Sequence, residues 1–361
     1  MLAAGTFGLS ALAARGTAQL LGARGFTHNV ASGEPGHYRV MLWTRYVPAA
    51  GDVARLRWQV SRTADFAQII ASGEASAESD HDWCVKPVAE GLDPGSWYFY
   101  RFLDGAGRTS PVGRTRTLPN SKCGPTSRFM LGIFSCANLP FGWFNAYGHA
   151  AGREDIDLMV HLGDYLYEYE RGRYPSVGAA LAGRSIDPPG EAVALADYRL
   201  RHASYRADPD LQRLHQLFPM VMMWDDHETA NDSWAGGAEN HQPNEGSWDV
   251  RKRAAVRAYR EWLPVSAGTW KQYRIGDLLH LFRPDTRLTG RTQPLDLGAA
   301  LAGTRDTAAA LAAFRDGPWK DPQRSMLGAE QEAWLGDSFR RSASDGVRWQ
   351  VLAQQVLMGT I

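Results

Sequence analysis

Three short apolar segments of this chain each lead into side chains that could bind a metal ion. Apolar runs of this length, bounded by polar residues, predict buried strands. The segments and the side chains that follow them are Phe129 to Phe134 with Cys136, Ile156 to Val160 with Asp164 and Tyr167, and Pro219 to Met223 with Asp225 and Asp226. In open α/β sheets, ligands bind outside the carboxyl ends of the strands. A thiol, a phenol and several carboxylates gathered at one such edge therefore predict a metal centre.

Each segment taken alone has a simpler explanation. A carboxylate after a strand often caps the next helix, and a tyrosine in apolar surroundings usually serves packing. Potential ligands after all three segments make that explanation the weaker one, and we favour the metal centre.

The composition is that of an ordinary globular protein, and the length favours two domains. The 361 residues are 44% hydrophobic and 22% charged, with 39 basic and 39 acidic side chains that balance to no net charge. This balance gives no support to nucleic acid or an anionic membrane as a partner. Three cysteines exclude a disulfide-dense scaffold, and Cys84 and Cys123 could be paired or free.

Residues 1–25 are predicted to be the remnant of an export signal. Leu2 to Ala14 is apolar and uncharged but too short to span a bilayer, and Gly16-Thr17-Ala18 is a pattern that a signal peptidase could cleave. Because no basic residue precedes Arg15, an apolar N-terminal helix is the alternative. We expect a periplasmic or secreted monomer without a transmembrane anchor.

Residues 26–118 are predicted to form a small antiparallel β-sandwich. Short alternating segments separated by turn residues support this, and the clearest are Val40 to Trp43, Leu56 to Val60 and Trp97 to Phe102. The Leu92-Asp93-Pro94 turn leads into Tyr98 and Tyr100. It resembles the corner of immunoglobulin-like and fibronectin-type sandwiches, in which a tyrosine ties the turn.

The polar segment 119–127 is predicted to be a linker, and residues 128–361 an α/β domain with alternating helices and strands. The predicted helices are Phe141 to Ala151, Glu191 to Leu217 with a break at Asp208-Pro209, Trp248 to Trp262, and Leu327 to Arg341. The later strands are Leu278 to Phe282 and Trp349 to Leu357. A long loop from Glu170 to Pro189 is expected to flank the pocket.

The kinds of donor indicate which metals would fit. Structural zinc sites use closely spaced Cys and His, whereas a phenolate beside a thiolate and Asp164 suits ferric iron. The further carboxylates and Asn231 are oxygen donors of the kind that calcium or magnesium takes. Since Asp164 has two oxygens, it could bridge two cations, which would form the clamp used for in-line displacement at phosphorus.

Two further side chains could act on a phosphoryl group. His227 could donate a proton or a hydrogen bond to a phosphoryl oxygen or a leaving group. A structural imidazole or a metal ligand fits its position equally well. Arg287 could contact phosphate, but a surface ion pair is the preferred interpretation of that residue.

Together these motifs resemble those of the PhoD-like phosphatases (the alkaline phosphatase D family). The matching segments are Phe26 to Pro35, Leu42 to Arg45, Phe134 to Cys136, Gly163 to Tyr169, Trp224 to Glu228 with Asn231, Met326 to Gln331, and Ala353 to Val356. The resemblance extends over nearly everything after residue 25. It implies an α/β (α+β) metallophosphoesterase-like core of the calcineurin type, preceded by a β-sandwich.

The resemblance also implies a function and a site. We expect hydrolysis of phosphate monoesters, and of diesters, at alkaline pH by in-line attack of a metal-activated hydroxide, with ferric iron and calcium as cofactors. Asp164 and His227 would be catalytic. The implied metal ligands are Cys136, Asp164 and Tyr167 for iron, with Asp164 bridging, and Asp225 or Asp226 with Asn231 for calcium.

Two departures from the family pattern affect these expectations. Family members are usually exported by the twin-arginine machinery, and this chain has no arginine pair near its start. The family pattern continues past Gln354 to a Gly-Asp-x-His motif, which does not occur before Ile361. We therefore expect this polypeptide alone to bind metal weakly and to turn over slowly.

Two other functions remain open. The same clamp would accept diesters in a phospholipase D-type phosphodiesterase, and assaying a monoester beside a diester separates these two. A chain with an incomplete site could instead be a binding module without turnover, which would need no iron.

Overall fold

The computed structural model describes residues 22–357, which form three β-sheets with helices packed against them. The predicted export signal lies almost entirely outside the described residues. The strands are β1 (Gly25–Gly33), β2 (Arg39–Val47), β3 (Val53–Ser61), β4 (Ile69–Glu78), β5 (Cys84–Val85), β6 (Val88–Glu90), β7 (Trp97–Leu103), β8 (Gly113–Arg116), β9 (Leu131–Phe134), β10 (Leu158–His161), β11 (Pro219–Met222), β12 (Lys271–Ile275), β13 (Leu279–Arg283) and β14 (Trp349–Leu352). The helices are α1 (Asn145–Ala151), α2 (Leu195–Arg206), α3 (Pro209–Leu217), α4 (Trp248–Trp262), α5 (Leu297–Leu301), α6 (Thr307–Asp316) and α7 (Ala329–Ser344).

The N-terminal strands form the predicted sandwich. Strands β4, β3, β7 and β8 make an antiparallel sheet, and its apolar face packs on β1 and β2 around a shared core that includes Trp58, Tyr98 and Leu42. The alternating burial along β7 is that of a strand with one core face. At the predicted corner, the Asp93 N–H donates to the Tyr98 hydroxyl over 2.8 Å, so the tyrosine ties the turn as expected.

The second sheet joins the sandwich to the α/β core. Its seven strands run β5-β2-β1-β11-β10-β9, with β6 also on β2. The junction is a parallel pairing of β1 with β11, which places Ser32 beside Pro219 and Gly33 beside Met220. A side chain at Gly33 would collide with the Pro264 carbonyl, which explains the glycine there. The division into 26–118, 119–127 and 128–361 stays a prediction.

The parallel strands β9, β10 and β11 are buried between two layers. Leu158 and Val160 face the small third sheet, β12-β13-β14, whereas Met159 faces the helices. Runs of apolar residues are what a strand covered on both faces requires. In the pairing, His161 lies opposite both Phe134 and Met222. The carboxyl ends of the three strands therefore meet at one edge.

The predicted elements are found, with shifts at their ends. The break at Asp208 separates α2 from α3, because the Asp208 carboxylate accepts the N–H groups of Asp210 and Leu211 and Pro209 takes the first helical position. Helix α4 has the predicted bounds, whereas β14 ends at Leu352 rather than at Leu357.

The cysteine alternatives resolve in favour of free thiols, since Cys84 is buried on β5 and Cys123 is exposed. Within residues 22–357, no helix is long and apolar enough to cross a membrane.

Candidate metal centre

The loops that follow β9 and β10 hold two potential ligands in an uncommon backbone conformation. Cys136 and Asp164 have φ angles of 58° and 52°, in the left-handed region that costs a non-glycine residue about 1 kcal/mol or more. The two loops are joined because the Cys136 N–H donates to the Gly163 carbonyl and the Ala137 N–H to that of Asp164. A side chain at Gly163 would collide with the Asp225 backbone. The loops are thus fixed to each other and to the segment after β11.

Asp164 is the meeting point of the predicted iron ligands. Its Oδ2 atom lies 3.4 Å from the Cys136 sulfur and 3.2 Å from the Tyr167 hydroxyl oxygen. Its Oδ1 atom is buried and accepts no hydrogen bond from any residue in the described range. The three side chains therefore converge as the sequence predicts, and their role as ligands stays a prediction.

The negative charge of Asp164 is only partly compensated by the protein. Burial raises the pKa of Asp164, Asp226 raises it further, and His227 only partly opposes the shift. Burial likewise raises the pKa of the Cys136 thiol and of the Tyr167 phenol, and the Asp164 charge adds to both effects. A bound cation would reverse all three shifts, because it favours the ionised form of each group.

Asp226 and His227 complete the cluster. One potential ligand atom from each of Asp164, Asp226 and His227 lies within 4.8 Å of the others. Asp226 is held in place because its Oδ2 atom accepts the Asp232 N–H over 2.6 Å. The spacing and the mixture of carboxylate and imidazole suit a divalent or trivalent cation.

His227 is oriented by Glu168, which sequence reasoning did not single out. The His227 Nδ1 atom lies 2.7 Å from a Glu168 oxygen, and the other oxygen accepts hydrogen bonds from the Asn231 N–H and the Asn240 amide. Burial lowers the pKa of His227, but Glu168, Asp226 and Asp164 together raise it to about 9. A carboxylate that fixes the ring of an imidazole is a common partner of metal sites. The sequence signal for Glu168 was its position directly after Tyr167 in the segment Gly163 to Tyr169.

Arg287 corrects one prediction, because it is a buried part of the site rather than a surface ion pair. Only 7% of it is exposed. Its Nε atom donates to Asp225 over 2.5 Å, and its other nitrogens lie 3.3 Å from Asp226 and 3.5 Å from Asp232. Burial raises the pKa of Asp225 to about 6 even though Arg287 opposes the shift. The arginine thus neutralises the carboxylates on one side of the cluster.

The remaining predicted ligands lie at the margin of the cluster. The Asp225 carboxylate faces Arg287, and the Asn231 amide donates to Glu239 over 3.0 Å. A second acidic residue missed in the sequence, Glu228, is buried and accepts the N–H groups of both Tyr165 and Asp225. It connects the loop after β10 to the loop after β11. Which of Asp225 and Asp226 binds metal directly stays open.

An aromatic cavity of about 500 Å³ opens beside Cys136 and Tyr167. Phe141, Trp143 and Tyr174 form its outer wall, and all three are exposed. Tyr174 comes from the long loop that was expected to flank the pocket. Among the described residues, no charged side chain lines this cavity, so it suits the uncharged part of a ligand.

The fold and the cluster define an α/β protein with a metal-type donor set at the carboxyl edge of a parallel sheet, preceded by a β-sandwich. The profile described as PhoD-like phosphatase matches residues 131–361, and the profile of its N-terminal domain matches residues 11–119. The chain belongs to the PhoD-like phosphatase family. The family and fold-class predictions are therefore confirmed.

Two relatives agree with this assignment. Alkaline phosphatase D of Bacillus subtilis (strain 168) is 33% identical over 347 residues, which are 92% of this chain and 56% of that protein. The structure described as PhoD superposes with a TM-score of 0.76 at 30% identity, over 93% of this chain and 63% of the other. This chain thus spans less than two thirds of the length of either relative.

Proposed function

We propose that this chain is a metal-dependent phosphoric ester hydrolase of the alkaline phosphatase D type. The observation that carries the proposal is the convergence of Cys136, Tyr167, Asp226 and His227 on Asp164, whose buried charge His227 only partly offsets. Proteins rarely bury a charged carboxylate without a partner that compensates its charge. A metal is the partner that this donor set would accept, and the similarity to alkaline phosphatase D supplies the reaction class.

The donors suit two different cations. Thiol, phenol and carboxylate at Cys136, Tyr167 and Asp164 would hold ferric iron, and the unused Asp164 Oδ1 atom is free for a second cation. Oxygen donors from Asp225 or Asp226, with Asn231, would hold calcium. Bound there, the cations would polarise a phosphoryl group and lower the pKa of a water molecule.

The protein's own residues would orient the ester and move protons. With Nδ1 held by Glu168, His227 can present its Nε2 N–H to a phosphoryl oxygen or to the leaving group. A pKa near 9 keeps the imidazole protonated over the neutral range, so that it can donate. The aromatic cavity beside Cys136 would take the organic part of the ester, because it offers ring surfaces and no charge.

The preference between monoesters and diesters defines the second candidate. A phospholipase D-type phosphodiesterase would use the same centre, and the open, 500 Å³ aromatic cavity leaves room for a second ester substituent. The test is to load the chain with iron and calcium and to assay an aryl monoester beside the matching bis-aryl diester. Similar kcat/KM for both would favour the phosphodiesterase.

The same experiment tests the hydrolase proposal as a whole. We expect turnover that Asp164→Asn abolishes and that Asp155→Asn preserves, since Asp155 is an aspartate paired with Arg153 away from the cluster. A visible charge-transfer band should accompany iron loading and disappear in Tyr167→Phe. A chain that binds no iron and hydrolyses neither ester would instead be a binding module.

The location of the protein is a proposal as well. The apolar segment at residues 2–14 supports export to the periplasm or the medium. Cell fractionation of the expressed protein would test it, and cytoplasmic retention would contradict it.

A further inference from the structure

A second cavity, of about 620 Å³, lies between helix α4 and the segment around β5. Its walls are strongly basic, in contrast to the aromatic cavity. Five cationic side chains line it: Lys86 from beyond β5, and Lys252, Arg253, Arg257 and Arg260 from α4. Its volume is within the range of small-molecule sites and exceeds that of a single phosphate ion.

The four cations of α4 share one face of the helix. Lys252, Arg253, Arg257 and Arg260 follow the spacing that brings helical residues onto one side, and Val256 lies among them. Like charges three or four positions apart on a helix destabilise it. A helix face of this kind lowers the stability of the protein unless negative charge lies opposite it.

The protein itself supplies little of that negative charge. Glu261 is the only acidic residue in the described part of the chain that lines the cavity, and it already accepts from Arg199 and Arg257. Asp80 pairs with the same Arg257 at the rim. The other cations are therefore left to other partners.

Those partners are mostly backbone carbonyl groups, and the one carboxylate among them is that of Asp249, 3.7 Å from the Lys252 ammonium group. Lys86 donates to the carbonyl oxygens of Val265 and Arg260, and Lys252 donates to that of Ala235 over 2.7 Å. Arg260 donates to the Ala267 carbonyl, and its Nε atom has no partner within residues 22–357. Burial lowers the pKa of Lys86 to about 8, as expected for a positive charge without a counter-ion.

The floor of the cavity adjoins the candidate metal centre. It includes Trp224 and Leu288, which are the chain neighbours of Asp225 and Arg287. An apolar floor under a basic wall suits a ligand that carries several phosphates on an organic body or chain. Lysine ammonium groups and the forked guanidinium groups of arginine are the usual partners of phosphate oxygens.

We propose that this cavity binds a phosphate-rich anion at a site separate from the metal centre. The anion is either a free oligophosphate or the non-reacting phosphates of a substrate held at the centre. The binding itself does not depend on the hydrolase function proposed above.

Calorimetric titration of the metal-free chain with tripolyphosphate tests the proposal. We expect one ion to bind per chain, and the Lys252→Glu/Arg253→Glu variant to bind roughly tenfold more weakly or worse, because two charge-assisted contacts become repulsive. Arg315→Glu on α6 is the matched reversal outside the cavity and should bind normally. Asp164→Asn should also bind normally.

Two outcomes would overturn the proposal: no binding by the parent chain, or binding unaffected by the double reversal. The second would place the ion outside this cavity. If the double variant does not fold, as judged by its thermal melt, Arg253→Glu alone replaces it, because Arg253 is exposed and needs no structural partner.

A kinetic arm separates the two sources of phosphate. If the phosphates belong to the substrate, the double reversal raises KM for an ester with additional phosphates and leaves KM for a simple monoester unchanged. If the anion is a separate ligand, the double reversal leaves both KM values unchanged although it weakens the binding of tripolyphosphate. Inactivity of the loaded chain would count against the hydrolase proposal alone, because the titration uses no turnover.

Discussion

Two buried carboxylates, Glu34 and Asp164, show how differently this protein treats negative charge. Glu34 follows β1 and receives hydrogen bonds from Arg283 over 3.1 Å and from Lys271 over 2.6 Å. Burial raises its pKa, but these two cations more than compensate and bring it to about 2. Asp164 is about equally buried, yet its contacts are a thiol and a phenol, and its pKa is raised.

The difference separates a stabilising ion pair from a carboxylate whose charge the protein compensates only in part. Arg283 also donates to the Met222 carbonyl at the end of β11, so the Glu34 cluster connects β1, β11, β12 and β13. The Asp164 carboxylate is less well compensated, and its raised pKa means that burying its charge costs free energy in the metal-free chain. Proteins commonly give up stability in this way where they carry out chemistry.

The largest expected effect is the loss of function in Asp164→Asn. Removing the carboxylate on which Cys136, Tyr167, Asp226 and His227 converge should lower kcat/KM of the metal-loaded chain on the order of 10³-fold. The metal-free variant should be no less stable than the parent, since an uncompensated charge is removed. Enzyme assay and urea unfolding measure the two effects. If Asp164→Asn were clearly less stable than the parent, the contrast drawn between Asp164 and Glu34 would be wrong.

Glu34→Gln should show the opposite behaviour. It leaves Arg283 and Lys271 without their counter-charge, which should cost roughly 3–5 kcal/mol of unfolding free energy. Metal content should stay at the parent level. Glu74→Gln, at an exposed position of β4, is the matched control and should unfold like the parent. A loss below about 1 kcal/mol would mean that the pair contributes no more than a surface one.

Glu168→Gln should have an intermediate effect, on activity rather than stability. Loss of the charge that orients His227 should lower activity or metal affinity roughly 10- to 100-fold. It should also lower the pKa of His227, because the Glu168 charge raises it. A pH–rate profile measures that shift. Glu74→Gln, outside the site, is again the control, and an unchanged pH–rate profile in Glu168→Gln would contradict the positioning role.

The smallest expected effect is a difference in acid sensitivity. Because the pKa of Glu34 is about 2 in the folded chain and 4.5 ordinarily, its stabilisation is complete above pH 4.5 and is lost as the pH falls towards 2. The shift corresponds to roughly 3 kcal/mol. The unfolding free energies of the parent and Glu34→Gln should therefore converge over this range. If the two curves of unfolding free energy against pH stay parallel, the low pKa assigned to Glu34 is wrong.

The sequence predicted the features that depend on residues close together in the chain. Apolar segments with donors behind them predicted β9, β10 and β11 and the meeting of Cys136, Asp164 and Tyr167. The Asp-Pro step predicted the break between α2 and α3, because capping is a property of adjacent residues.

What the sequence could not reveal depended on contacts between distant segments. The pairing of β1 with β11 leaves no local signal, because each strand is compatible with several neighbours. Arg287 was taken for a surface residue since nothing near it in sequence indicates that Asp225, Asp226 and Asp232 lie around it. Glu168 was missed for a similar reason, because its partner His227 belongs to another motif.

The β1–β11 junction has a consequence for any attempt to separate the two halves of the chain. An isolated α/β half would leave the backbone N–H and C=O groups of β11 open along one side, and open strands recruit other molecules. Such a fragment should self-associate, which light scattering would detect. The sandwich therefore covers an edge that the sheet of the α/β core would otherwise expose.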